Sequence, residues 1–170
     1  TREDPADMTR VDTQPDPDTI MTMRWQNNFL DLAALVARWS KDPSTQVGAV
    51  IVNPMTRAII STGYHGFPRG VADDPRRPDR PTKLRLTVHA EVNAILTAAR
   101  NGSRVEGAWM FCTWPPCEHC AGCIVQAGIT QVVARAIAPR DADRWQRSMA
   151  TSRALLQEAG VGLCIIDPPE

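Results

Sequence analysis

The chain has 170 residues, 43% of them hydrophobic, which is the length of one domain with enough apolar side chains to fill a single core. Nineteen Lys plus Arg balance nineteen Asp plus Glu, and a formal net charge of zero argues against a protein that coats nucleic acid through bulk charge. No run approaches the roughly 18 apolar residues of a membrane span, and TREDPADMTR lacks the apolar stretch of a secretory signal, which points to a cytoplasmic protein with no membrane partner. The charge is unevenly spread: residues 1–20 carry six acids and two arginines, so the remainder is net positive, and seventeen of the nineteen basic residues are Arg. A planar guanidinium grips phosphate oxygens with two donors at once, which suits a phosphorylated small molecule.

Residues 1–22 are rich in Asp, Pro and Thr and too poor in large apolar side chains to offset ordering entropy; they read as a tail, leaving 23–170 as the domain. Trp25, Phe29, Leu32, Leu35, Val36 and Trp39 recur at three- and four-residue intervals, which predicts an amphipathic helix ended by Lys41-Asp42-Pro43. The apolar run 47–52 (VGAVIV) predicts a strand buried on both faces, and a turn at Asn53-Pro54 leads to a second strand near 58–64. Residues 65–86 are punctuated by Gly and Pro and hold six basic residues, the composition of a long functional loop. Thr87 is the expected N-cap of a helix over 88–100 that stops at Asn101-Gly102. A strand over 108–113, a helix with Pro116 in its first turn and Gly128 at its close, a strand over 131–135, a helix near 143–158 and a strand over 161–166 complete the chain. Helices alternating with strands predict a three-layer α/β/α domain around a sheet of about five strands. There is no internal repeat.

Five cysteines is an odd number, and Cys117, Cys120 and Cys123 fall within seven residues, poor geometry for a disulfide framework and ordinary for metal ligation. His89 in the triplet HAE lies 28 positions before Cys117 and 31 before Cys120. One imidazole nitrogen and two thiolates give zinc three protein ligands and leave its fourth tetrahedral position to water, as a catalytic site requires. Cys117 and Cys120, at i and i+3, project from one helix face, and a helix N-terminus favours thiolate. His89 also opens its helix, so two helix starts can converge on one ion. Glu91, two residues on, can reach the water without ligating. Three other readings stay open: a CxxC redox pair, an iron–sulfur cluster completed by Cys112 or Cys164, and a structural zinc site closed by His119. Packing is the expected role of Cys112, Cys123 and Cys164.

H-x-E followed by P-C-x-x-C is the signature of zinc deaminases acting on nucleobases. Beyond it, KDPSTQVGAVIV at 41–52, STGYHGFPRG at 61–70, HAEVNAILTAARNG at 89–102 and PPCEHCAGCIVQAGI at 115–129 resemble, in order and spacing, the successive blocks of the deoxycytidylate (dCMP) deaminases. The resemblance covers most of residues 25–135. It implies a cytidine-deaminase-like fold with a mixed sheet, one Zn2+ per chain held by His89, Cys117 and Cys120, and Glu91 as the catalytic proton carrier. It also implies hydrolysis of the 4-amino group of dCMP to give dUMP and ammonia, and a homo-oligomer, often a hexamer. His65, Ala90, Ser44, Arg100 and Trp114 are the substrate-binding candidates, with Thr45 beside Ser44 near the phosphate. Gly66, Phe67, Arg69 and Gly70 correspond to a segment that binds a regulatory nucleoside triphosphate in some relatives.

The chain departs from the family where Asn usually follows the Gly-Tyr pair: the residue is His65, which opens the possibility of a C5-modified deoxycytidylate as substrate. Residues 66–88 contain no His or Cys, so a second zinc before HAE is not expected. The rival activities are a tRNA adenosine deaminase, whose core also reads HAE and PCxxCAG, and a non-enzymatic zinc module. A nucleic-acid partner is disfavoured because the excess positive charge is small and gathered in one loop.

Overall fold

The computed structural model describes residues 21–42, 45–72 and 85–168. The tail over 1–20, Ser44 and most of the basic loop, residues 73–84, lie outside them. Among the described residues four helices and five strands follow in the order α1 (Met23–Ala37), β1 (Gly48–Val52), β2 (Ile59–Tyr64), α2 (Ala90–Arg100), β3 (Trp109–Cys112), α3 (Glu118–Gln126), β4 (Gln131–Arg135), α4 (Pro139–Glu158) and β5 (Gly162–Ile166). The strands form one mixed sheet ordered β2-β1-β3-β4-β5. β1 runs antiparallel to both β2 and β3, while β3, β4 and β5 are parallel.

Period-two alternation divides the sheet between two cores. Val50, Val52, Phe111 and Val133 face α1, where Phe29, Leu30 and Val36 pack on them, with the rings of Phe29 and Phe111 5.1 Å apart. Ala49, Ile51, Met110, Cys112, Val132 and Ala134 face the opposite layer, which supplies Ala90 and Ala94 of α2, Ala121 and Ile124 of α3 and Leu156 of α4. β1 is therefore buried along its whole length. At two points a helix backbone lies directly on a strand: a β-carbon on Gly48 would stand 2.1 Å from the Ala33 carbonyl oxygen of α1, and one on Gly63 would stand 2.2 Å from the Ala94 nitrogen of α2. Glycine is the residue that permits such approach. The Ser61 hydroxyl donates to the Ala94 carbonyl at 2.9 Å, fastening the same strand to the same helix.

Several boundaries differ from the sequence reading. Met21, assigned to the tail, is 1% exposed and belongs to the α1 core, so the packed domain begins before residue 23. Thr87 does not cap α2; His89 does, because Val88 is held in a two-way backbone bridge with Gly66 and the chain turns helical only after it. Pro116 precedes the α3 cap, Cys117, instead of lying in the first turn. α4 starts at Pro139, four residues earlier than its apolar pattern indicates, since a proline at the first helical position has its backbone angle preset. Among the described residues no helix is long and apolar enough to cross a membrane.

Candidate active site

His89 and Cys117 occupy equivalent places in the fold: each is the N-cap of a helix, in extended conformation, and neither side chain caps its own helix. Both side chains are thereby released to the space between the starts of α2 and α3. The Cys117 sulfur lies 3.5 Å and the Cys120 sulfur 3.4 Å from Nδ1 of His89. All three donor atoms fall within 4.8 Å of one another.

These separations fit zinc. Bonds of about 2.3 Å to sulfur and about 2.05 Å to nitrogen at the tetrahedral angle place the two donors about 3.6 Å apart. The donor chemistry agrees as well. The Cys117 thiol is lowered to about 4 by a hydrogen bond from the Cys120 thiol and by His89, so it is a ready thiolate. Cys120, which holds the proton of that bond, is pushed upward. His89 is raised chiefly by its contact with Cys117.

Glu91, in the first turn of α2, is 4% exposed, and burial raises its carboxyl from 4.5 to about 7. A carboxyl poised near neutrality can both take and release a proton at working pH. Cys112 points into the core, and burial pushes its thiol well up. Cys123 is exposed, a correction to its expected packing role: one turn beyond Cys120, the α3 surface has already rotated away from the core. His119 is exposed on α3 and does not join the donor group.

Two of the donors, His89 and Cys117, line an open cleft. His65, His89, Glu91 and Cys117 form its polar side, with Ala90 between His89 and Glu91, while Trp114, Trp145, Ile137 and Met149 form an apolar side and Thr45 and Val47 complete the lining. Trp114 and Trp145 meet edge to face at 6.3 Å. His65 is buried, and its ring stacks on that of His89 at 5.7 Å and 29°. Glu118 accepts a hydrogen bond from the Ser148 hydroxyl, which ties α3 to α4 and lowers the Glu118 carboxyl. That link holds the Trp145 and Met149 turns of α4 beside the donors.

The substrate candidates therefore separate. His65, Ala90 and Trp114 line the cleft and Thr45 joins them. Arg100 is exposed at the last residue of α2, about 15 Å along the helix axis from Ala90. Gly66 is engaged in the bridge to Val88, and Phe67, Arg69 and Gly70 lie beyond it outside the cleft lining. Among the described residues that lining contains no Arg or Lys. Trp145, Met149 and Ile137 are site residues that the sequence reading missed; they come from the β4–α4 segment, which carries no motif.

The model of the cytidine and deoxycytidylate deaminase zinc-binding region matches residues 23–136. A deaminase of the luxG 3' region of Aliivibrio fischeri, itself uncharacterized, is 40% identical over 141 residues, covering 83% of this chain and 92% of that one. The human deoxycytidylate deaminase is 38% identical over 145 residues, covering 82% of this chain and 78% of the relative. The dCMP deaminase of cyanophage S-TIM5, solved in complex with dCMP and dUMP, superposes with a TM-score of 0.70 at 25% identity, covering 86% of this chain and 99% of the phage chain. Matched across the segment that carries all three donors and Glu91, the chain belongs to the zinc-binding cytidine and deoxycytidylate deaminase family.

Proposed function

We propose that this protein hydrolyses dCMP to dUMP and ammonia with one zinc ion per chain, held by His89, Cys117 and Cys120. The observation that carries this reading is a three-donor set with spacing suited to zinc, two of whose members, His89 and Cys117, line a cleft together with Glu91. Relatives named as dCMP deaminases and a phage structure holding dCMP and dUMP support the substrate.

When bound, zinc supplies Lewis acidity and lowers the pKa of a water toward neutrality. The remaining steps fall to the protein. Glu91 takes one proton from the water that adds at C4 of the pyrimidine and passes it to N3, then takes the second from the new C4 hydroxyl and delivers it to the 4-amino group, so that the C4–N bond breaks, ammonia leaves and C4 becomes a carbonyl. Burial makes this possible by keeping the carboxyl near neutrality. The ring of Trp114 and the neighbouring Trp145 offer an apolar wall for the flat base, and His65 meets the nucleotide from the opposite side. With His65 in the usual Asn position, preference between dCMP and a C5-modified form rests on this residue and that wall.

Turnover with dCMP, followed as loss of cytosine absorbance, set against inosine formation from tRNA, tests the reading against its enzyme rival. Glu91→Ala with zinc and fold retained but turnover abolished tests it against a zinc module. Loss of activity in the unmodified protein on every cytosine nucleotide defeats it. Cysteines free at a metal site suit a reducing compartment, which supports a cytoplasmic location. Self-association and a regulatory triphosphate at Gly66–Gly70 are further parts of the proposal, to be read by light scattering and by assay with added deoxynucleoside triphosphates.

A further inference from the structure

His65 is held from behind by a residue that does not itself line the cleft. Asp42, in the segment after α1, places its carboxylate Oδ2 3.5 Å from Nε2 of His65, and the two side chains are only 7% and 6% exposed. Both ends of this contact are anchored. The Asp42 backbone N–H donates to the Ser40 hydroxyl at 3.2 Å, and Gln46 donates to the Ser40 carbonyl, also at 3.2 Å. The His65 backbone N–H donates to the Val47 carbonyl at 2.9 Å, next to strand β1. The far side of the imidazole stacks on the zinc-donor histidine.

We propose that Asp42 is a positioning residue for substrate selection: it fixes the orientation and tautomer of His65, and through it the pattern of donors and acceptors that the cleft offers a pyrimidine nucleotide. This rests on the cleft being the nucleotide site. A carboxylate beside one imidazole nitrogen keeps the proton on that nitrogen, here Nε2, and makes Nδ1 the acceptor. A ring clamped between Asp42 and His89 also cannot rotate to exchange its two nitrogens. A site that hydrogen-bonds its ligand discriminates more strongly than one that only fits its shape, so the preset ring governs which nucleotide is accepted.

The test compares kcat/KM for dCMP, CMP and 5-methyl-dCMP in the unmodified zinc-loaded protein and in Asp42→Ala, Asp42→Asn, His65→Asn and the Asp42→Ala/His65→Asn double variant. Asp42→Ala should change the ratios between substrates by about tenfold, mostly through KM, with zinc content unchanged. Asp42→Asn, whose side-chain oxygen can stand beside Nε2 where Oδ2 stood, should restore the ratios to within about twofold, and Asp42→Ala should add nothing in the His65→Asn background. A uniform fall in kcat with all ratios preserved marks a merely structural residue and overturns the proposal. Should Asp42→Ala not fold, Asp42→Ser, too short to reach the ring, gives the same comparison. The unmodified protein provides an independent readout, because the chain has only 3 histidines. Nitrogen-15 shifts should show His65 protonated on Nε2 and bare on Nδ1; the opposite tautomer refutes the assignment. Absence of turnover on every cytosine nucleotide in the unmodified protein overturns the deaminase reading itself, a result distinct from preserved ratios in an active enzyme.

Discussion

Replacing Gly63 by Ala puts one methyl group where the backbone of α2 already stands. Its carbon would lie 2.2 Å from the Ala94 nitrogen, 2.3 Å from the Ala90 carbonyl oxygen and 2.8 Å from the Asn93 carbonyl carbon. Ordinary contact begins near 3.4 Å, so strand and helix must part by about 1.2 Å, and no flexible side chain is available to yield in their place. Overpacking of this kind costs about 1–3 kcal/mol, and contact with a rigid helix places the change toward the upper end. The helix that moves begins at Ala90, between His89 and Glu91. A displacement of about 1 Å at reacting groups lowers turnover by about 100-fold. Gly48→Ala is the matched control, because its β-carbon would strike the Ala33 oxygen and Ala37 nitrogen of α1 on the other face of the sheet. Urea denaturation, zinc analysis and kcat on dCMP for both variants form the assay. Both should lose stability by a similar amount, with activity per folded, zinc-loaded molecule falling steeply only in Gly63→Ala. Equal kcat losses in the two variants, or Gly63→Ala within about twofold of the parent, would refute the argument that α2 is seated through this glycine.

Four further outcomes are expected. Glu91→Gln should retain zinc and lower kcat by about 100- to 10,000-fold, as the loss of a positioned proton carrier does. In chelated protein the raised Glu91 carboxyl contributes fully to stability below its ordinary value of 4.5 and loses that contribution as pH rises through about 7. Urea melts of the chelated forms should therefore show Glu91→Gln gaining about 3 kcal/mol over the parent between about pH 4 and pH 8, and a pH-independent difference contradicts the burial argument. Cys117→Ala and Cys120→Ala should each empty the site in metal analysis, whereas Cys123→Ala, at an exposed position, should keep zinc and change stability by less than about 0.5 kcal/mol. Trp145→Ala should raise KM for dCMP by about tenfold with zinc unchanged, by opening the apolar wall; an unchanged KM removes Trp145 from the site.

The elements that the sequence disclosed best are those whose period or chemistry is local. VGAVIV is uniformly apolar because β1 is central and covered by helices on both sides, and the helical spacing from Trp25 onward follows from α1 covering one face of the sheet alone. The His89, Cys117 and Cys120 donors were legible because metal coordination demands particular atoms, and few side chains supply them. Trp145 and Met149 were not, since apolar residues on an amphipathic helix look alike whether they face a core or a cleft, and only the α3–α4 packing decides. In the sequence Asp42 shows only as part of a helix stop; its meeting with His65 joins two loops that are distant along the chain. Thr87 has the side-chain chemistry of a cap, yet the bridge between Gly66 and Val88 moves the helix start to His89.

Cap positions at helix starts are ordinarily held by short side chains whose oxygens close over the first free amides, a contribution of about 1 kcal/mol each. Here two of them are given to His89 and Cys117, and neither helix receives that closure from its own cap side chain. A metal ion held by both residues would instead tie the two helix starts to one another through their cap positions. The metal then acts as a rivet between two otherwise loosely ended helices, in addition to its chemistry. Its departure should be felt first as fraying at Ala90 and Glu118, visible as faster amide exchange there while β1 and β3 beneath remain protected.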